Sequence, residues 1–302
     1  MNPAPHLWSD LKKCGHLYLF LVPTFAFIFI FRYYPAGSAL YHAFTRWNGA
    51  GIATWVGLEN FQTLLSDFIF IASLKNIAVI LAAALLKVLV FPLLAAEFIF
   101  NLRGERGQYW FRFLLILPIV VPGIVVTLVW RFIMGPKPLG VLNALLELLG
   151  QEEWQRAWLA DPKIALISVL LVGFPWIDAI AMLIYYAGLQ NISMDVIDAS
   201  MMDGASTWRR VRSVDLPLLF GQFKLLIIIT TIFTLQNFGG MLVLTNGGPG
   251  YATMVPGLWM YQRAFLADRF GYASAIGVVL LVAMLCLTWL NNKFLKEADV
   301  TY

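Results

Sequence analysis

Residues 191–218 read NISMDVIDASMMDGASTWRRVRSVDLPL, a polar stretch set between long apolar runs. Ser193 stands at the N-cap of a short helix expected over Met194–Met202, with Asp195 near its positive end. Asp203-Gly204 is a turn signal, because glycine takes backbone angles that other residues avoid. A second helical stretch over Thr207–Val214 should end before Leu216-Pro217, since the residue ahead of a proline resists the helical region. The segment is therefore expected to be helix, tight turn, helix, lying on a membrane face. Met201, Met202, Val211 and Val214 give it apolar sides, and methionine suits an adaptable docking surface.

The runs on either side fix the class. A bilayer core of about 30 Å needs about 20 mostly apolar residues per helix. Such runs fall near residues 17–34, 76–100, 111–132, 164–187, 218–244 and 272–291, the first ending in the interfacial pair Tyr33 and Tyr34. They must be helices, because open strands would leave backbone groups unsatisfied in lipid. The expectation is an all-α integral membrane protein with six transmembrane helices, a single domain over residues 1–302 with a loop at 188–217. The first run is read as a retained helix rather than a cleaved signal peptide, since no clean small-residue cleavage site follows it.

Composition agrees. Of 302 residues, 60% are hydrophobic and only 13% charged, with mean hydropathy +0.77, far from the quarter charged of soluble domains. A net charge of +4 spread over such a chain makes no dense basic stripe, so nucleic acid is set aside as a partner. Cys14, Cys286, His6, His16 and His42 offer neither a disulfide framework nor a metal-ligand spacing. With six spans, the two termini and the 101–110 and 188–217 loops share one side. That side carries Lys12, Lys13, Arg103, Arg106, Arg209, Arg210, Arg212, Lys293 and Lys296, which makes it the cytoplasmic side.

At this point the resemblance becomes specific. The 188–217 loop resembles the EAA loop of ABC importer permeases: Glu-Ala-Ala, three residues, Gly, nine residues, Ile-x-Leu-Pro. Asp198-Ala199-Ser200 holds the opening triplet, Gly204 falls at the matching spacing, and Val214-Asp215-Leu216-Pro217 closes it. Asp for Glu, Ser for Ala and Val for Ile keep charge, size and apolarity. Val56–Phe61, Phe113–Pro118 with Pro122, Trp130 and Asn143, and Leu242–Gly250 resemble further segments of the carbohydrate-uptake branch. The resemblance implies the ABC importer permease fold, with residues 195–217 as a cytoplasmic coupling hairpin. In it Ala199, Ser200, Gly204 and Ala205 allow close seating on an ATPase, Asp198 and Asp203 pair with basic groups there, and Leu216-Pro217 sets the exit into the fifth span.

Inside the spans, Pro118, Pro122 and Pro175 are expected to kink their helices. Lys87 and Asp178 are ionisable groups at depth, which marks either a structural pair, a contact with a neighbouring subunit or a substrate contact. Glu97 lies near a span end and is read as interfacial. Phe174, Trp176 and Asp178 in the fourth span, and Gln236, Asn237 and Phe238 in the fifth, combine aromatic faces for sugar rings with polar groups for hydroxyls. These six are substrate-path candidates, set against the alternative that they only pack.

The chain lacks G-x-x-x-x-G-K-[ST], so ATP and its magnesium would sit on another subunit, and no catalytic residue, metal or cofactor is expected here. The resemblance implies a multi-pass protein of the bacterial cytoplasmic (inner) membrane with both termini cytoplasmic. It also implies a second homologous permease subunit, two ATP-binding cassette ATPase subunits, an extracytoplasmic sugar-binding protein and surrounding lipid. A sugar or oligosaccharide would cross by alternating access. The rivals are an ion-coupled secondary transporter working through Lys87 and Asp178, the same machine carrying a polyol or glycerol phosphate, and a membrane scaffold without transport.

Overall fold

The structure, a computed structural model, describes residues 18–295. The readings made on His6, Lys12, Lys13, Cys14, His16, the first span's start at Leu17 and Lys296 fall outside these residues. The chain opens with α1 (Leu19–His42), a two-stranded ribbon of β1 (Thr45–Arg46) and β2 (Thr54–Trp55), and α2 (Glu59–Ser66). Then come α3 (Phe68–Phe100), α4 (Glu105–Val120), α5 (Gly123–Ile133) and α6 (Val141–Leu148). The second half holds α7 (Ala165–Leu171), α8 (Ala179–Gln190), α9 (Met194–Met202), α10 (Thr207–Leu218) and α11 (Phe220–Gln236). It closes with α12 (Gly239–Leu244), α13 (Pro256–Phe265) and α14 (Phe270–Phe294).

Helices α1, α3 and α14 are each long and apolar enough to cross a bilayer, and three bent helix pairs raise the number of spans to as many as six. The third expected span is two helices, α4 and α5, meeting at 88°. Pro118 lies in the last, 3-10 turn of α4, and Pro122 caps α5. Pro175 was expected to kink the fourth span, and the chain there is broken outright between α7 and α8. Gly173 and Trp176 both take positive φ inside the gap. The fifth span likewise stops at Gln236 and resumes at Gly239. The helix of the first span runs on past Tyr33 and Tyr34 to His42. A π turn over Phe29–Tyr33 precedes Pro35, which sits in the first turn of the next helical segment, where a missing N–H is tolerated.

Helix α3 is the spine, about 50 Å long at 1.5 Å per residue. One apolar cluster gathers around its first turns, with Leu64, Phe70, Ile77, Leu258, Trp259 and Ile276. A second gathers around its last turns, with Ala96, Ile99, Met182, Tyr185, Leu189 and Leu219. Small residues permit the close approach that association in lipid requires. A Cβ added at Gly188 on α8 would lie 2.5 Å from Leu219 Cδ2 and 2.8 Å from Gln222 Nε2, so those helices meet because position 188 has no side chain.

Asp67 fixes the first end of the spine. Its Oδ1 accepts from the backbone N–H of Ile69 (2.9 Å) and Phe70 (3.2 Å), capping α3. Its Oδ2 accepts from Trp259 Nε1 (2.9 Å) and the Tyr272 hydroxyl, binding α13 and α14 to the same point. Burial pushes this carboxyl up, but the hydrogen bonds from Tyr272, Trp259, Phe70 and Ile69 outweigh it and hold it below the usual carboxylate range.

The sequence fragments outside the hairpin turn out to organise loops. Asn60 Nδ2 donates to the carbonyls of Ala43 and Thr45 at 2.9 Å each, and Arg46 pairs with Glu59 at 2.6 Å. Asn143 is buried, accepting from Trp158 Nε1 (2.9 Å) and the Arg156 N–H (3.2 Å) while donating to the Arg156 carbonyl (3.0 Å). In the Leu242–Gly250 turn, the Thr253 hydroxyl donates to the Gly248 carbonyl at 2.8 Å and lies 2.6 Å from the Thr245 hydroxyl.

Candidate functional site

The polar segment of residues 191–218 forms a helical hairpin at the end of the molecule where α3 finishes. Its first limb, α9, spans the nine residues expected, with Ser193 at the N-cap position and Asp195 in the first turn. The Ser193 side chain makes no capping bond. The turn is set by hydrogen bonds as well as by glycine. The Ala205 N–H donates to the Ser200 carbonyl (3.0 Å) and the Gly204 N–H to the Met201 carbonyl (2.9 Å), the paired bonds of a Schellman motif. Gly204 holds φ +74° with nothing within 4 Å of where a Cβ would be. Ser206 then caps the second limb, its Oγ accepting from the Arg209 N–H at 3.4 Å.

The second limb corrects the expectation that it ends before Leu216-Pro217. Helix α10 continues to Leu218 through a π turn over Val211–Asp215, closed by the Leu216 N–H on the Val211 carbonyl. Pro217 falls in the first turn of the α segment that follows, where its lack of an N–H breaks nothing. A 65° bend then leads into α11.

Of the residues singled out, Asp198, Ala199, Asp203, Gly204 and Pro217 are exposed. Ser200, Ala205 and Leu216 are half-buried, and the Ser200 hydroxyl donates to the Ile197 carbonyl at 2.6 Å. None of the ion pairs among the described residues involves Asp198 or Asp203. Their charges face outward, next to Met201 and Met202, the latter 88% exposed. Val211 and Val214 are half-buried. Sequence reading passed over two members of this surface, Met194 and Trp208, both exposed. Large apolar side chains in a charged segment were the available signal. The hairpin's inner face is apolar: Ile192, Ile197 and Leu219 join the cluster around the end of α3.

Two charges at this end of α3 are covered. Glu97 is 7% exposed, because the hairpin folds over the last turn of α3. Arg210, counted among the loop's cytoplasmic charges, is also buried. Its Nε donates to Asp215 Oδ2 at 3.1 Å and its Nη2 to Asn101 Oδ1 at 2.5 Å.

The second place of interest is a cavity of about 540 Å³ between α3, the α7–α8 break and α11. Lys87, Trp176 and Asp178 line it together with Thr230, Phe233 and Thr234. The Lys87 ammonium donates to the Leu170 carbonyl and lies 4.8 Å over the Trp176 ring. Carbonyl and ring are neutral partners, and no acid among the described residues pairs with Lys87. Asp178 is committed elsewhere as the N-cap of α8, accepting from the Ala181 N–H at 2.7 Å. Lys87 and Asp178 thus share a cavity without forming an ion pair. Phe174 packs edge-on to Trp176, ring centroids 5.1 Å apart, but outside the lining.

The three candidates of the fifth span lie away from this cavity. Asn237 Oδ1 accepts from the Gly239 N–H (3.1 Å) at the α11–α12 break, and Phe238 stacks on Tyr261 at 5.5 Å. Gln236 reaches only Met284 Sδ, at 3.5 Å. Thr230 and Thr234 were missed, although their four-residue spacing on a helix puts both hydroxyls on one face.

Comparison with known proteins agrees with this architecture. The profile of the family described as "Binding-protein-dependent transport system inner membrane component" matches residues 88–297. A probable ABC transporter permease protein of Pyrococcus horikoshii is 32% identical over 273 residues, covering 89% of this chain and 92% of its own length. The diacetylchitobiose uptake system permease protein NgcF of Streptomyces coelicolor is 30% identical, covering 91% of this chain and 81% of its own length. A crystal structure of a bacterial ABC transporter involved in import of the acidic polysaccharide alginate contains a chain that shares the fold. Its TM-score is 0.82 at 23% identity, covering 97% of this chain and all of the other. The chain belongs to the binding-protein-dependent transport system inner membrane component family.

Proposed function

Taking that family as the premise, we propose that the chain is the permease subunit through which an ATP-driven importer passes a sugar or oligosaccharide across the cytoplasmic membrane. The observation that carries this is the exposed hairpin. It presents Asp198 and Asp203, in no ion pair among the described residues, beside Met194, Met201, Met202 and Trp208, a surface suited to be covered by a basic partner. The partner is an ATP-binding cassette ATPase, two copies of which hold ATP and magnesium. A second homologous permease completes the pore, and an extracytoplasmic sugar-binding protein delivers the cargo at the opposite face.

In this reading both termini are cytoplasmic. Closure of the ATPases pushes on residues 195–217, and the pore switches from inward-facing to outward-facing. The α7–α8 break supports a translocation path there. In this reading the break falls within the fourth span, and irregular backbone there is tolerated only where it is buried or lines a cavity. Trp176 offers a ring face, and Thr230 and Thr234 offer hydroxyls, for a polyhydroxylated cargo. Lys87, an amine in the cavity in no ion pair among the described residues, favours, as a second reading, a cargo bearing an anionic group such as glycerol phosphate.

The test is to tag the chain, purify it gently from native membranes and identify its companions. Co-purification of an ATPase and a second polytopic subunit supports the importer. Transport by the chain alone in liposomes without ATP, abolished by an uncoupler, would replace it with an ion-coupled carrier.

A further inference from the structure

At the base of the hairpin a chain of polar groups, buried at Arg210, Asp215 and Glu97 and exposed at Asn101, joins α10 to the end of α3. Arg210 is gripped from two sides, by Asp215 Oδ2 (3.1 Å) within α10 and by Asn101 Oδ1 (2.5 Å) just past α3. Asn101 in turn donates to the Glu97 carbonyl (2.8 Å) and to Glu97 Oε2 (3.2 Å). The guanidinium also lies 5.7 Å over the Phe100 ring. It therefore sits at the negative end of the α3 dipole, a favoured place for a cation.

The spacing of the Arg210–Asp215 pair is the informative feature. In an α-helix, at 3.6 residues per turn, positions i and i+5 are about 140° apart around the axis, and their side chains diverge. A π turn adds a residue to the turn and brings i and i+5 onto the same side. The π turn over Val211–Asp215 lies between these two residues. The wide turn thus brings the two side chains of the ion pair onto one side of α10. Among the described residues, Glu97 Oε1 and Asp215 Oδ1 are buried with no donor, so Arg210 stands at a place where two buried acids meet.

We infer that Arg210, held between Asp215 and Asn101, is a positioning residue that locks the π turn and ties the coupling hairpin to the end of α3. A push on the hairpin then reaches the second span as well as α11, to which α10 is joined through the chain. This rests on the importer reading, in which an ATPase pushes the hairpin, and it adds a second route by which that push enters the membrane.

The test is hydrogen–deuterium exchange on the tagged, purified complex in nanodiscs, with the nucleotide site empty or trapped with ADP–vanadate. Asp215→Asn and Arg210→Gln are expected to speed exchange over residues 211–216 at least tenfold, while Asp215→Glu, which keeps the charge, stays within threefold of the parent. In the parent, vanadate trapping should alter exchange both at residues 93–101 and in α11. In Asp215→Asn, the response at 93–101 should vanish and that in α11 persist. Unchanged exchange over 211–216 in Asp215→Asn would overturn the lock, and a surviving response at 93–101 would overturn the second route. A parent complex that responds in neither span would sink the coupling reading and the route with it, while exchange over 211–216 still decides the lock.

Discussion

Gly204→Arg separates docking from folding at the hairpin turn. Gly204 holds φ +74°, and an L-residue in the left-handed region costs about 1–2 kcal/mol, roughly a 5- to 30-fold loss in the population of the formed turn. Nothing lies within 4 Å of the added Cβ, so no clash arises inside the chain. The hairpin's inner face, with Ile192, Ile197 and Leu219, is not touched. The variant should therefore reach the membrane at parental levels. Bulk and positive charge would then stand next to the exposed acid Asp203, on the surface offered to the ATPase. We expect at least tenfold less ATPase to co-purify. Gly204→Asn tolerates the left-handed region and should lose least, and Gly204→Ala, which carries only the strain, should fall between. The assay is quantitative immunoblotting of membranes followed by affinity purification and ATP hydrolysis in the eluate. Parental ATPase recovery with Gly204→Arg would refute the docking assignment, and disappearance of the chain from the membrane would refute the claim that the turn is sterically free.

Other outcomes follow from the same geometry. Lys87→Met removes a charge for which insertion at a helix centre costs about 2.5–3.5 kcal/mol, so the purified complex should melt no lower than the parent while uptake falls; a drop of several degrees would make Lys87 a structural tie. Gly188→Val places carbon against Leu219 and Gln222, and overpacking of about 1–3 kcal/mol should cut the folded yield, whereas Gly240→Ala, with nothing within 4 Å, should be neutral by fluorescence-detected gel filtration. Asp67 has a depressed folded-state pKa, so its contribution is complete above the unfolded value near 3.9 and fades as pH falls through the lower folded one. The thermal midpoint should therefore fall as pH drops below about 4, and Asp67→Asn should flatten that dependence while lowering the midpoint at pH 7. An unchanged pH profile in that variant would remove Asp67 from its place at the head of α3.

Much of the hairpin was legible because its signals are local. The N-cap position of Ser193, the Asp203-Gly204 turn and the extent of α9 each depend on a few neighbouring residues. The end of α10 was misjudged for a related reason. The rule that a proline stops a helix assumes α geometry, and the π turn before Pro217 is stabilised by Arg210 and Asp215, whose partner Asn101 lies 109 residues away. The burial of Glu97 could not be read from its place along α3, since nothing in that stretch announces the cover that residues 192–219 provide. Of the substrate-path candidates, Trp176 and Asp178 reached the cavity with Lys87, while the Gln236–Phe238 group sits at a helix break instead. Aromatic and polar composition cannot distinguish these two places.

By itself the sequence determined the class, the six apolar runs and the helix-turn-helix pattern of the hairpin. Length and hydropathy answer to bilayer thickness, and turn chemistry answers to the backbone of a few adjacent residues. Only the tertiary structure decided which charges are paired, which are left facing outward, and where a cavity opens. Burial of Arg210 and Glu97 is a property of two segments a hundred residues apart meeting at one end of α3. Their energetics depend on the water that meeting excludes, which no local pattern records.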